Sequence, residues 1–414
     1  MILVLRVGDV SISPEEFLEN FRYLSGIGWV EGYGMDRLAL SENHVRVRRE
    51  LIKQLESLGA EVRFDEAGNI IAIIGEGDEA IAVGSHLDSV PGGGRFDGAY
   101  GVIAGLEVLR AIRKSGLRMK HKLMLVDFNN EEGSRWFPPL LGSGLTTGVL
   151  DKSYVYSLRD KHGTTFEEAL RNSGFMGSGA NNLYLNPPRF YVELHVEQGP
   201  ELYREGVDIG VPVGVVGIRV FEVRFKGVGG HAATPVAWRR DALVAFSKLA
   251  LRLREFSLLK GDRIRITIGR ALVKPGISNV VARDVVFTVD MRSYDEGLLD
   301  EAEKYMVNSC TLVAEEEGVE FSYGKLWSLG RTVFDRDVVN VVRESCLELG
   351  YSCREMWSWA GHDAVYMSRI SKTGMIFVPS VNGISHTKEE YTGDEDLVKG
   401  LLVLLKTILK LDTL

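Results

Sequence analysis

Residues 81–89 read IAVGSHLDS, and residues 122–132 read KLMLVDFNNEE. In each, an apolar run of strand length leads straight into a polar cluster, and residues 98–114 between them carry a helical pattern. Strands that are apolar throughout and separated by helices predict a mainly parallel sheet covered on both faces. In such a sheet the chemistry gathers in the loops beyond the carboxyl ends of the strands. Both polar clusters occupy that position.

Outward from this pair, residues 43–58 read as a helix ending at Gly59, and Glu61–Phe64 with Ile70–Ile74 as a hairpin around Ala67-Gly68-Asn69. Residues 220–226, 263–268 and 285–292 alternate as strands, 241–256 and 296–316 read as helices, and 319–323 alternates again. That order describes a compact α+β unit. A helix near 336–349, the loop at Gly361-His362-Asp363, an apolar strand at 374–378 and a closing helix follow. The fold class is therefore α/β, with a mainly parallel-sheet catalytic domain in two segments, 1–212 and 327–414. A smaller α+β domain, 213–326, is inserted between them.

A chain of 414 residues is too long for one ordinary core and suits two domains. Its 45% apolar and 26% charged residues are those of a globular protein, and a formal charge of −8 offers no basic footprint for nucleic acid. Cys310, Cys346 and Cys353 have no metal-type spacing, so a reducing compartment is the simpler reading. The opening MILVLRVGDV has too short an apolar run for a signal peptide. The terminal LLVLLKTILKL is interrupted by Lys406 and Lys410 and predicts an amphipathic helix packed on the core. A cytoplasmic protein with no membrane partner is expected.

Four clusters carry candidate chemistry. In the first, His86 and Asp88 form a His-x-Asp pair at a strand end, which suits a metal ligand whose other ring nitrogen is held by a carboxylate. Asp97, beside Gly98, sits where the backbone approaches closely and could bridge two cations. In the second, Glu131 and Glu132 are adjacent carboxylates at a buried strand end, which is costly without positive charge nearby. One carboxylate as ligand and the other as general base accounts for the pairing. The third, ELHVEQGP at 193–200, places Glu193, His195 and Glu197 on one strand face, with His195 the ligand candidate. The fourth, GISHTKEE at 383–390, offers His386. Three histidines, an aspartate and a glutamate match two divalent ions sharing one carboxylate.

At these residues the sequence resembles the carbamoylase branch of the aminoacylase and metallopeptidase superfamily, which includes N-carbamoyl-L-amino-acid hydrolases, allantoate amidohydrolases and β-ureidopropionases. The resemblance runs from about Gly34 to the C-terminus through GSHLDS, GGRFDGAYG, NNEEGSRW, ELHVEQGP, GHAATP, Asn279-Val280-Val281, Asp290-Met291-Arg292, AGHDA and NGISHTKEE. It implies a dinuclear hydrolase domain with a lid and dimerisation insert, and two divalent ions, Zn2+ or Mn2+ with Co2+ or Ni2+ as further candidates. One ion would be held by His86 and His195 and the other by Glu132 and His386, with Asp97 bridging. Glu131 would be the general base and Asp88 would orient His86. His231 and Asn279 would polarise the scissile carbonyl, His231 reaching the partner subunit's site in a homodimer. Arg292 would pair with a substrate carboxylate, and Gln198 and His362 would line the pocket.

The implied reaction is hydrolysis of a linear amide C–N bond, the carbamoyl group of an N-carbamoyl amino acid or a ureido acid such as allantoate, releasing ammonia and carbon dioxide. An aminoacylase or dipeptidase of the same superfamily is the second enzyme reading. A non-catalytic small-molecule binding protein on the same fold is the third. The segment His231-Ala232-Ala233-Thr234-Pro235-Val236 is one residue shorter than the family pattern and lacks its glycine and methionine, which bears on substrate choice. Trp136, Trp357 and Trp359 read as buried packing near the motifs, and His44, His121 and His162 as surface or capping residues.

Overall fold

A computed structural model describes residues 4–414. The chain folds as two compact units, one running to Gly214 and resuming at Val333–Leu414, the other Val215–Thr332. The boundaries anticipated from sequence were 212/213 and 326/327.

In the first unit the main sheet runs in the order Ile209–Val215, Lys372–Val378, Phe190–Val196, Ala80–His86, Lys122–Phe128, Ile70–Ile74, Glu61–Phe64. The central four strands, Lys372–Val378 to Lys122–Phe128, are mutually parallel, in register from Lys372 opposite Phe190 and from Ala80 opposite Lys122. The flanks are antiparallel, including the anticipated hairpin, which pairs Phe64 with Ile70. Every residue of Ala80–His86 and Phe190–Val196 is buried, as strands covered on both faces require.

The helix Ala99–Ser115 follows the first of these strands, and its Tyr100 hydroxyl donates to the Leu397 carbonyl at 2.7 Å, tying it to the closing helix Asp394–Leu411. That closing helix buries its leucines, while Lys406 and Lys410 reach out to Glu348 and Glu344 at 2.9 and 2.7 Å. Among the described residues no helix is long and apolar enough to cross a membrane.

The sequence reading missed the short helices Leu141–Thr146, Lys152–Ser157 and Phe166–Ser173, which build a small core with Trp136. It also missed the strand Ile209–Val215, whose Gly210, Pro212 and Gly214 mask its alternation.

The second unit is an antiparallel sheet in the order Arg265–Thr267, Asp284–Ser293, Gly217–Lys226, Glu320–Leu329, with Ala271–Lys274 also paired to Asp284–Ser293. Phe221, Val223, Phe225, Val285, Phe287, Val289 and Met291 face the core and pack with the helices Ala242–Lys260 and Glu296–Glu317. The last strand runs six residues past the expected end at Tyr323, to Leu329. Gly324 follows Tyr323 directly, and opposite the Val220–Phe221 step the pairing jumps from Trp327 to Lys325, leaving Leu326 as the extra residue of a bulge, so the alternation does not carry through.

Candidate metal centre

Because the central strands are parallel, their carboxyl ends emerge along one edge: His86 lies opposite Phe128, and Val196 opposite Val378. His86 and His195 belong to the strands themselves. Glu131 and Glu132 follow Phe128, His386 follows Val378, and Asp97 sits in the turn before the helix Ala99–Ser115.

Asp97 is the hub. Its Oδ1 lies 3.1 Å from His195 Nε2 and 3.4 Å from His86 Nε2, and its Oδ2 lies 3.1 Å from His386 Nε2. Glu132 Oε2 is 3.5 Å from His386 Nε2, and Glu131 Oε2 is 3.5 Å from His86 Nε2. Two sets of donors, His86–Asp97–His195 and Asp97–Glu132–His386, each have their ligand atoms within 4.8 Å of one another, and Asp97 belongs to both.

The rings are held from behind. His86 Nδ1 lies 3.0 Å from the Asp88 carbonyl and His195 Nδ1 lies 2.8 Å from the Val196 carbonyl. With Nδ1 protonated toward a carbonyl, each Nε2 lone pair faces the cluster, where the Gly98 N–H also lies 3.1 Å from His195 Nε2. Gly98, at φ 64°, is required: a Cβ there would run into the His86 ring.

Asp88 departs from the sequence expectation. Its main-chain carbonyl, not its carboxylate, holds His86; the carboxylate stays 3.9 Å from Nδ1. Its two oxygens instead accept the Glu131 and Glu132 N–H groups at 3.1 and 3.3 Å, pinning the loop that carries both glutamates.

The electrostatics fit a cation-binding donor set. Burial, then Asp363, Glu132 and Asp97, push the Glu131 carboxyl well above the usual range despite His86. Burial and Asp97 push Glu132 up to about 7. Glu132 first, and against burial also Asp97, hold the His386 imidazole up at about 10. Burial disfavours a charged His86, but Glu131, Asp97 and Asp88 override it and raise that ring as well. Burial opposes an ionised Asp97 too, yet His195, His386 and His86 keep it well below the carboxylate range. So much confined negative charge holds protons where divalent cations would serve, and oxygen and imidazole donors suit such ions.

Gln198, in a left-handed backbone at φ 57°, donates its amide to Asp97 Oδ2 at 2.7 Å and lies 3.3 Å from His386 Nε2. His362 is buried edge-on against His195, with ring centroids 4.6 Å apart.

The other named residues belong to the second unit. His231 pairs across from Val280, and the Ala232 N–H donates to the Asn279 carbonyl at 2.9 Å, so His231 and Asn279 share one exposed loop pair. Arg239 closes the shortened segment, donating to the Thr234 and Ala232 carbonyls at 3.0 and 2.8 Å. Arg292, on the sheet, is held in a fork by Asp290 at 2.7 and 2.9 Å.

Sequence reasoning passed over Asp363 and Glu390, both buried beside the cluster; a carboxylate inside a motif otherwise read for its histidine was the available signal. His44 and His121 are buried rather than on the surface: His44 Nδ1 accepts the Leu40 N–H at 2.9 Å, a capping contact at the start of the helix over residues 42–57, and His121 Nδ1 pairs with Asp412 at 3.1 Å. Trp136 is buried packing, its Nε1 donating to the Thr164 carbonyl at 3.1 Å. The three cysteines are free thiols.

Imidazole and carboxylate donors converging at the carboxyl ends of parallel strands, beside a buried glutamate, define a metal-dependent α/β hydrolase. The chain belongs to peptidase family M20/M25/M40, whose profile matches residues 82–410. It is 32% identical over 395 residues to the allantoate amidohydrolase of Bacillus subtilis (strain 168), covering 93% of this chain and 96% of that protein. It is 35% identical over 408 residues to an N-carbamoyl-L-amino-acid amidohydrolase of Paenarthrobacter aurescens, covering 96% and 98%. The crystal structure of an amidase of the hydantoinase/carbamoylase family from Burkholderia vietnamiensis matches with a TM-score of 0.91 at 32% identity, covering 98% of each chain.

Proposed function

We propose that the protein hydrolyses the carbamoyl C–N bond of an N-carbamoyl amino acid or related ureido acid, such as allantoate, releasing ammonia and carbon dioxide. The observation that carries this reading is the pair of donor sets sharing Asp97, with Glu131 against one of them. The relatives named for allantoate and N-carbamoyl-L-amino acids support the substrate class.

His86, Asp97 and His195 would hold one divalent ion and Asp97, Glu132 and His386 a second, of the Zn2+, Mn2+, Co2+ or Ni2+ class. Bound there, such ions supply Lewis acidity to the carbonyl and acidify water. Glu131, raised by burial and then by its carboxylate neighbours, takes the proton of the attacking water and returns it to the departing nitrogen. Asp88 positions Glu131 through the backbone. His231 and Asn279 offer the insert's donors to the carbonyl oxygen, and Arg292 takes the substrate carboxylate by exchanging its Asp290 fork for the ligand's. Gln198 and His362 complete the pocket wall. The working form is a cytoplasmic homodimer joined through the inserted unit.

The test is a panel of N-carbamoyl amino acids, allantoate, N-acetyl amino acids and dipeptides, assayed for ammonia and amine release with each of the four metals. Ammonia release from carbamoyl or ureido substrates alone is expected. Turnover confined to acetyl amino acids or dipeptides would replace this reading with an aminoacylase or dipeptidase. No turnover and no bound metal would leave a binding protein.

A further inference from the structure

Residues 386–389 of the loop after Lys372–Val378 are exposed, and Glu390 then turns inward to 4% exposure. It belongs to neither donor set. Its Oε1 accepts the Phe96 N–H at 3.0 Å and the Asp97 N–H at 3.1 Å, and its Oε2 accepts the Ser385 hydroxyl at 2.7 Å. One carboxylate therefore ties the turn bearing Asp97 to the residue preceding His386. The approach is close enough to demand glycine at position 94, where a Cβ would run into the Glu390 carboxyl.

The two donor sets differ in their need for such a tie. His86 and His195 are buried strand residues braced by main-chain carbonyls. His386 is half exposed on a loop where Asn382 and His386 hold φ of 58° and 59°. Non-glycine residues keep that conformation only where their surroundings impose it. His386 contacts Asp97 Oδ2, and Tyr391 packs edge-on against Phe96. Beside these, Glu390 is what joins this loop to the main chain of the Asp97 turn, and Ser385 braces Glu390.

We propose that Glu390 is a positioning residue that sets the separation of Asp97 and His386, and so governs cation affinity at the Asp97–Glu132–His386 set selectively. The proposal rests on the metal centre read above.

Metal-stripped wild type, Glu390→Gln, Glu390→Ala and Ser385→Ala would be titrated with Co2+, read by calorimetry and by the visible spectrum. In Glu390→Ala one of two sites should weaken by ~10–100-fold, the range for outer residues that orient ligands, while the other stays near wild type. Glu390→Gln should keep both sites, because its amide oxygen still accepts both N–H groups and Ser385 can accept from its NH2. Ser385→Ala should weaken the same site by less, and decides the matter if Glu390→Ala fails to fold. Two wild-type affinities in folded Glu390→Ala, equal loss of both, or a Glu390→Gln as impaired as Glu390→Ala would overturn the proposal alone. A wild-type protein that takes up no Co2+ would overturn it together with the functional reading.

Discussion

Glu131→Gln separates the base from the ligands. The side chain is buried, its Oε2 lies 3.5 Å from His86 Nε2, and it stands outside both donor sets. What fixes its loop is the Asp88 carboxylate on the backbone N–H groups of residues 131 and 132, which a glutamine leaves in place. The variant therefore removes a proton acceptor of nearly the same shape and little else. A positioned general base contributes ~10²–10⁴ in rate, about 3–5 kcal/mol of barrier. Because Glu131 belongs to neither donor set, metal retention should not suffer. The measurement pairs steady-state ammonia release with metal content after gel filtration. A fall in kcat of about 10³ or more with metal content unchanged is expected. Residual activity above a tenth of wild type would refute the base assignment, and loss of metal would make Glu131 a ligand instead.

Asp97→Asn should abolish stoichiometric uptake at both sites, because both donor sets pass through this carboxylate, whereas His386→Ala should leave one ion bound; metal analysis by mass spectrometry decides. Chelation should lower the melting temperature, since ions that bind only the folded chain stabilise it by about 2.7 kcal/mol at a hundredfold excess over Kd; an unchanged Tm by scanning calorimetry would count against bound metal. Arg48→Met should cost about 3–5 kcal/mol in urea unfolding. It strands Asp127, paired with Arg48 at 2.7 Å with both side chains fully buried. Adding Asp127→Leu should recover most of that loss.

Much of this architecture could be read from residue order. The strands 81–86 and 122–128 carry continuous apolar runs, 81–83 and 123–126, because both faces are covered, and that pattern also announced where the polar loops would emerge. His86, Asp97, Glu132, His195 and His386 converge because neighbouring parallel strands bring distant segments to one edge, a consequence of topology that spacing alone does not express. Resemblance supplied that step. What stayed hidden was tertiary. Asp88 acts through its carbonyl toward His86 because its carboxylate is engaged by two N–H groups. Glu390 looks like one more acid in an exposed run until the fold turns it inward. His121 pairs with Asp412, 291 residues further along the chain, which no local pattern reports.

The strand Lys372–Val378 lies between Phe190–Val196 and Ile209–Val215 in the sheet, although it is among the last segments made on the ribosome. Until it emerges, Phe190–Val196 has a bare flank of main-chain amides and carbonyls, the kind of template on which incomplete chains aggregate. His386 arrives later still, so from residue 195 onward a nascent chain would carry four of its five donors and lack the last. Competence to load the second ion would in this way wait for His386.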